Sequence, residues 1–506
     1  MTDESAKDPK DTEPDHEPPA GAEITATWTA GKQSIEYTAS AGWTVLRKNE
    51  KPAAEIFSVS YIAGKAKDRP VTFAFNGGPG SSSAFVHMGA AGPSRVEFPP
   101  DGQLPQSPPK LVPNRESWLK FTDLVFVDPV GTGFSRVIKD DAKAKADGKQ
   151  RPDETPEEAK DGGAGEFVGY KRDLESMCEF MGRWLSNNGR WGSPVFIVGE
   201  SYGGYRVGRL VRLLQENTGI ALSGAVLISP ALELAALIGT DYDVLGWVDL
   251  VPTMALAAAH HGRSRAFKAG TPIDEIALEA EEFATGDFSL MLIRGASMRD
   301  AERERILERL ADMIGLPATT VKRAGGRISL NVFTRELLRD ERKVVGYYDA
   351  TITATDPFPD REPFAGPDPT LAGFSPPFST AINQQLRSEI GIETDREYVL
   401  SSEEVFRAWR NDAVEHFWVP PVGATDDFRY GMALNPHMKA LIVHGIYDTV
   451  TPYYTSDRLR NLMRLDADMA DRLTVRRYGG GHMFYTWEQS RREFSKAMAE
   501  FVADAS

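Results

Sequence analysis

The sequence predicts an α/β protein built on a mostly parallel sheet and interrupted by a long, largely helical insertion. Three observations point there. Short apolar runs end in turns, most of them glycine-rich. Helical stretches lie between some of these runs, which is the grammar of a parallel sheet. The runs stop near residue 231 and resume at residue 440, with helix-like segments in between.

The elements follow in order. Residues 24–28 and 34–38 alternate with period two, separated by a turn containing Ala30-Gly31-Lys32, and read as strands. Residues 54–62 and 71–75 continue the pattern. Residues 123–128 lead into Pro129-Val130-Gly131-Thr132-Gly133, and residues 195–198 lead into Gly199-Glu200-Ser201-Tyr202-Gly203-Gly204. Residues 225–228 run into Ser229-Pro230, and residues 440–443 into His444-Gly445. Uninterrupted runs of about four apolar residues fit strands buried on both faces. Helices are predicted at 166–185 and 205–214. Within the insertion, 300–314 and 403–410 read as helices and 356–377 as a proline-rich loop. Residues 473–478 read as a late strand and 489–505 as a closing helix. The predicted organisation is a disordered acidic tail at 1–22, the first part of the sheet unit at 23–231, the insertion at 232–415 and the second part at 416–506. Residues 140–165 read as a mobile surface loop. No internal repeat is visible.

Composition narrows the function classes. The chain has 506 residues, with 58 Lys+Arg against 73 Asp+Glu and a formal net charge of -15. That balance argues against nucleic acid as the main partner. The lone cysteine, Cys178, excludes an intramolecular disulfide and a cysteine metal cluster. Its helical context marks it as a small buried hydrophobe. Residues 1–22 carry no basic region followed by an apolar one, so they do not read as a secretory signal. The most apolar window, 223–240, is broken by Pro230 and Glu233, so no membrane span is expected. The default expectation is a cytoplasmic protein with no membrane association. Nothing in the sequence calls for a metal or an organic cofactor.

The chemistry centres on Gly199-Glu200-Ser201-Tyr202-Gly203, a G-x-S-x-G pattern between a strand and a helix. Such a tight turn leaves a serine hydroxyl standing clear of the sheet. A serine needs a base, and the chain has eight histidines. His16 lies in the tail, His260 and His261 in the insertion, and His416 and His437 in segments without turn chemistry. His444 ends a buried strand and reads as a core histidine. His87 follows the turn at 81–83 and is a possible cleft residue. His482 is the strongest base, because Gly479-Gly480-Gly481 precedes it after a strand. The base needs an orienting carboxylate, and Asp448 lies just past the strand at 440–443. Ser201, Asp448, His482 is the chain order of an α/β-hydrolase triad. The developing oxyanion needs preorganised donors. The Tyr202 backbone N–H is one, and the loop Asn76-Gly77-Gly78-Pro79-Gly80 is suited to supply another.

Five motifs together carry a resemblance. NGGPGSSS at 76–83, DPVGTGFS at 128–135, GESYGG at 199–204, HGIYDTVTP at 444–452 and GGGHM at 479–483 closely resemble the serine carboxypeptidases, as a bacterial-type member without the disulfides of secreted ones. The resemblance implies an α/β-hydrolase fold with a helical insertion and release of single residues from peptide C-termini. It implies Ser201, Asp448 and His482 as the triad, and Gly78 and Tyr202 as the oxyanion hole. It also implies that Asn76, Gly77 and Glu200 bind the substrate's terminal carboxylate. A carboxylate is tolerated beside Glu200 only if one of the two carries a proton, so acid pH should favour activity.

The chain departs from the family at Phe75, where tryptophan is usual, at Ser81, where cysteine is usual, and at Ala90, where many members place a second glutamate. The last departure bears on the acid optimum and on strict exopeptidase preference. An esterase or acyltransferase with the same triad is therefore the alternative. A non-catalytic binding protein on the same scaffold is disfavoured by the presence of all three triad residues. The insertion is expected to cover the cleft and select the side chains accepted.

Overall fold

The computed structural model describes residues 16–64, 68–138, 164–237, 239–361, 364, 366–412 and 423–506. The tail expected at 1–22 falls outside these residues up to residue 15, as do the surface loop through residue 163 and His416.

Among the described residues, nine strands run in succession through a ten-stranded sheet. They are β1 (Ala22–Ala30), β2 (Gln33–Lys48), β3 (Lys51–Ala63), β4 (Val71–Phe75), β5 (Asp123–Val127), β6 (Val195–Glu200), β7 (Gly224–Ile228), β8 (Lys439–Gly445) and β9 (Leu473–Tyr478). Their spatial order is β1-β2-β3-β5-β4-β6-β7-β8-β9, and the short strand Arg136–Val137 also pairs with β3. β1, β2, β3 and β5 pair antiparallel in succession. From β5 to β9 every pairing is parallel. Right of the crossover at β5-β4-β6, the strand order and the late β8 and β9 are those of the α/β-hydrolase fold.

The strand residues explain this arrangement. All five residues of β4, all five of β7 and all six of β6 are buried, as strands covered on both faces must be. Alternate side chains serve opposite layers. Phe73 and Phe75 pack with Phe180 and Trp184 on one face, while Ala74 packs with Phe126 on the other. β1 alternates in exposure and pairs only with β2, which suits an edge strand. The β2–β3 hairpin turns through Asn49 (φ 50°) and Glu50 (φ 65°), the double positive φ that a two-residue hairpin needs.

Helix α1 (Tyr170–Asn188) and helix α2 (Tyr202–Leu213) cover one face. α1 starts four residues later than the sequence pattern suggests, because a 3-10 turn at Gly165–Phe167 and an extended Gly169 precede it. It ends at Gly189, whose left-handed φ of 61° closes the helix. α2 starts three residues earlier than expected, directly after Ser201. Its Gly203 and Gly204 are buried helix residues that let other chain segments approach, not turn residues.

Between β7 and β8 the chain builds a helical layer with its own apolar cluster. Helix α3 (Leu245–His260) and helix α4 (Asp300–Ile314) contribute Met254, Leu310 and Ile314 to it. Ile446, Tyr447 and Tyr453, which follow β8, join the same cluster. The expected proline-rich loop at 356–377 is corrected in its second half. Helix α5 (Pro369–Asn383) begins there and contains Pro376 and Pro377. Proline at the first helical position is favourable, and Asp368 caps the helix by accepting from the Leu371 N–H. The interior prolines remove two backbone donors. Buried Phe374 and Phe378, packed against Phe98 and Phe85, hold the helix in place nonetheless. Helix α6 (Thr425–Leu434) returns the chain to α2, and helix α7 (Glu488–Ala505) packs on the other face. Among the described residues no helix is long and apolar enough to cross a membrane.

Candidate active site

Ser201 sits at the turn between β6 and α2 with φ 62° and ψ -124°. This is a strained conformation for a residue with a side chain. It is held from both sides. The Ser201 N–H donates to the Ile228 carbonyl at 2.9 Å, and the Ser201 carbonyl accepts from the Gly204 N–H at 2.8 Å and the Ala231 N–H at 3.1 Å. A side chain at Gly199 would run into the Gly203 carbonyl, so the elbow can close only around glycine.

Asp448 and His482 meet where β8 and β9 end. His482 Nδ1 lies 2.6 Å from Asp448 Oδ2. Asp448 Oδ1 accepts from the Val450 N–H at 2.9 Å and the Thr451 N–H at 3.1 Å. Thr451 Oγ1 lies 2.6 Å from Asp448 Oδ2, 3.1 Å from His482 Nδ1 and 2.9 Å from the Ser229 carbonyl. With Nδ1–H donating to Asp448, the Nε2 lone pair is left to act as a base. Burial works against the imidazolium, but the charge and hydrogen bond of Asp448, with the charge of Glu200, move the His482 pKa up.

The loop at Asn76 rests on the elbow. A side chain at Gly77 would collide with the Tyr202 amide and the Glu200 carbonyl. Asn76 Nδ2 donates to Glu200 Oε1 at 2.9 Å, and Asn76 Oδ1 accepts from the Val86 N–H at 3.0 Å, which fixes the amide's orientation. Burial pushes the Glu200 carboxyl up to about 7, against the opposing pull of His482. Glu200 therefore holds a proton well above the usual carboxylate range.

A cleft of about 620 Å³ joins these groups. Asn76, Gly77, Gly78, Glu200, Ser201 and His482 line its floor, so the ends of three strands of the sheet, β4, β6 and β9, converge there. Tyr348, Leu371, Ala372, Ser402 and Phe406, from the segment between β7 and β8, form other walls. Asp368 also lines it, but its carboxylate is taken up by the Tyr347 and Leu371 N–H groups. Tyr202 lies behind the cleft, its ring buried and its backbone amide beside Gly77. Among the described residues no group of three or more His, Cys, Asp or Glu is arranged to hold a metal ion.

The other described histidines do not line this cleft. His87, a possible cleft residue by sequence, is instead fully buried, stacked on Phe126 at 4.0 Å and bonded to the Tyr61 hydroxyl at 2.8 Å. Burial lowers its pKa to about 3. His444 is buried, its Nε2 2.8 Å from Ser456 Oγ. His16 contacts the buried Glu55 at 2.6 Å. Cys178 is buried, and its thiol is pushed up to about 12.

Sequence reasoning missed the groups that brace the site. Arg206 is fully buried, donates to Asp173 at 2.8 and 3.0 Å and to the Asn76 carbonyl at 2.6 Å, and so ties α2 and α1 to the loop. An arginine amid small and apolar residues in GGYRVG was the available signal. Asp128 accepts from the Ser83 N–H and Oγ at 2.8 Å each and from the Tyr398 hydroxyl at 3.2 Å. Asp349 and Tyr348, far from any recognised motif, bind the backbone of Gly481 and His482.

Comparison with known proteins agrees with the motifs. Residues 32–259 match the family model described as serine carboxypeptidase. "Serine carboxypeptidase-like 5" of Arabidopsis thaliana is 30% identical over 178 residues, 33% of this chain and 34% of that protein. "Pheromone-processing carboxypeptidase kex1" of Sclerotinia sclerotiorum is 30% identical over 167 residues, 32% of this chain and 20% of that one. The match thus spans about a third of one relative's length and a fifth of the other's. A proline iminopeptidase from Mycobacterium smegmatis aligns with a TM-score of 0.34 at 11% identity, over 92% of this chain and 98% of that one. The residues that match the serine carboxypeptidase family model, 32–259, include Ser201, Glu200 and the loop at Asn76.

Proposed function

We propose that this chain is a serine carboxypeptidase that releases C-terminal amino acids from peptides. The observation that carries the reading is Glu200. A buried carboxyl, protonated up to about pH 7, lies next to the elbow serine, with one oxygen held by Asn76. A group of that kind suits a substrate carboxylate, which would be repelled by an ionised glutamate but can accept a hydrogen bond from a protonated one.

The roles follow from the positions. Ser201 Oγ attacks the last peptide carbonyl while His482 Nε2 takes its proton. Asp448 steadies the imidazolium. The backbone N–H groups of Gly78 and Tyr202 receive the oxyanion. The C–N bond breaks as His482 returns the proton to the leaving amine, and the free amino acid departs. Water then attacks the Ser201 ester with His482 again as base, and the shortened peptide leaves. Asn76, the Gly77 amide and Glu200 hold the terminal carboxylate throughout the first half.

The test compares a blocked dipeptide with its C-terminal amide from about pH 4 to pH 9, a span covering carboxylate and histidine titration. Ser201→Ala is assayed alongside. Cleavage of the free acid alone, lost in Ser201→Ala, supports the reading. Equal cleavage of acid and amide, or turnover of simple esters only, overturns it in favour of an esterase or acyltransferase.

A further inference from the structure

Glu200 Oε2 is buried without a well-formed hydrogen bond, and so is the Tyr485 hydroxyl. The two groups face one another, and the same hydroxyl also faces Asn76. Tyr485 lies in the 3-10 turn Phe484–Thr486, three residues past His482, and its ring is fully buried. The ring occupies space that only glycine leaves open, because a side chain at Gly89 would run into it. Ala90 follows and is buried as well. Two buried polar atoms side by side, each short of a partner, are costly unless they serve each other or a ligand.

We propose that Tyr485 is a positioning residue, whose hydroxyl is the second donor to Glu200 and keeps its carboxyl turned toward the substrate's terminal carboxylate. The proposal rests on the reading of Glu200 given above. Asn76 Nδ2 occupies Oε1. On this proposal the Tyr485 hydroxyl turns onto a lone pair of Oε2, giving both unpartnered atoms a partner, and the remaining site on Oε2 carries the proton offered to the substrate. His482 is the positive group that favours ionisation of Glu200, while the charge of Asp448 opposes it. A neutral donor at Oε2 is then what favours the ionised form without adding a charge. Removing it leaves burial less opposed, so Glu200 should hold its proton to higher pH.

The experiment reads Glu200 directly in the free enzyme. The infrared carbonyl band of its protonated carboxyl is obtained as the difference between the wild type and Glu200→Gln, and followed against pH. In Tyr485→Phe, which keeps the ring and its packing, the midpoint should rise by about one pH unit. Replacement of Tyr485 by 3-fluorotyrosine, a stronger donor, should lower it. An unmoved midpoint in both variants overturns the proposal, as does a loss of turnover in Tyr485→Phe with the midpoint unchanged. Activity on the free-acid peptide and its amide is measured on the same samples. A shifted midpoint in an enzyme that cleaves both alike supports the role of Tyr485 and removes the carboxypeptidase reading instead.

Discussion

Asp349 Oδ2 accepts the backbone N–H of Gly481 at 2.9 Å, one residue before the proposed base. Its neighbour adds a second hold, since the His482 N–H donates to the Tyr348 carbonyl at 2.5 Å and the Tyr348 ring stands edge-on to the imidazole at 5.1 Å. Gly481 permits this, because a side chain there would overlap both Tyr348 and Asp349. The segment between β7 and β8 therefore grips the histidine loop as well as walling the cleft.

Asp349 already accepts from the Thr351 N–H and Oγ1 through its other oxygen. In Asp349→Asn one donor must face another donor, and the loop loses a contact. Turnover should fall about 10- to 100-fold, the scale for a slightly misplaced catalytic group. KM should change little. Steady-state kinetics on an ester and a peptide check this, with the loss equal on both because both use His482.

The proposed triad makes a second expectation. Asp448→Asn preserves the shape of the contact with His482 but favours the wrong tautomer, and kcat should fall by about 10⁴. Ser201→Ala should abolish labelling by a fluorophosphonate while the wild type is labelled. Mass spectrometry of the labelled peptide locates the modified residue.

Three buried carboxyls set a pH dependence of stability. Burial raises Glu200 to about 7 and Asp128 and Asp349 to about 6. Each binds its proton more tightly folded than unfolded. Their contribution is thus fully present below about pH 4 and is lost as pH rises through 6 to 7. Glu200→Gln removes the largest of these losses. At pH 8 it should be more stable than the wild type by up to about 3 kcal/mol, with the difference vanishing below about pH 4. Denaturant titrations at pH 4, 6 and 8 measure it.

Arg206 and Asp173 form a buried pair at the root of the elbow helix. Arg206→Met leaves Asp173 without its cation and the Asn76 carbonyl without a donor. The expected loss is about 3–5 kcal/mol. Adding Asp173→Leu should restore much of it, because replacing both partners removes the uncompensated charge. Urea melts of the single and double variants decide the matter.

The sheet was legible where the physics is local. Four apolar residues closed by a turn, as at 195–198 and 440–443, can satisfy their burial only inside a covered sheet, and β6 and β8 lie there. The elbow was legible because its glycines have a steric reason. Helix α5 was not, because Pro376 and Pro377 speak against a helix locally while Phe374 and Phe378 impose it through packing. His87 misled for a related reason, since its surroundings in sequence do not reveal the aromatic ring of Phe126 that covers it. Tyr348 and Asp349 left no local trace, because their partners lie more than a hundred residues away. Tyr485 left no trace in sequence, because nothing in the GGGHM motif requires a hydroxyl two positions after it.

The separation of β6 from β8 and β9 bears on how the protein is made. A ribosome that has just finished the serine's turn must still produce the whole helical layer and both late strands before Asp448 and His482 exist. At about 5–20 residues per second that interval is tens of seconds. Throughout it the emerging polypeptide carries Ser201, the proposed nucleophile, without its proposed base. On the proposed mechanism, an unfinished copy is therefore inactive during that time.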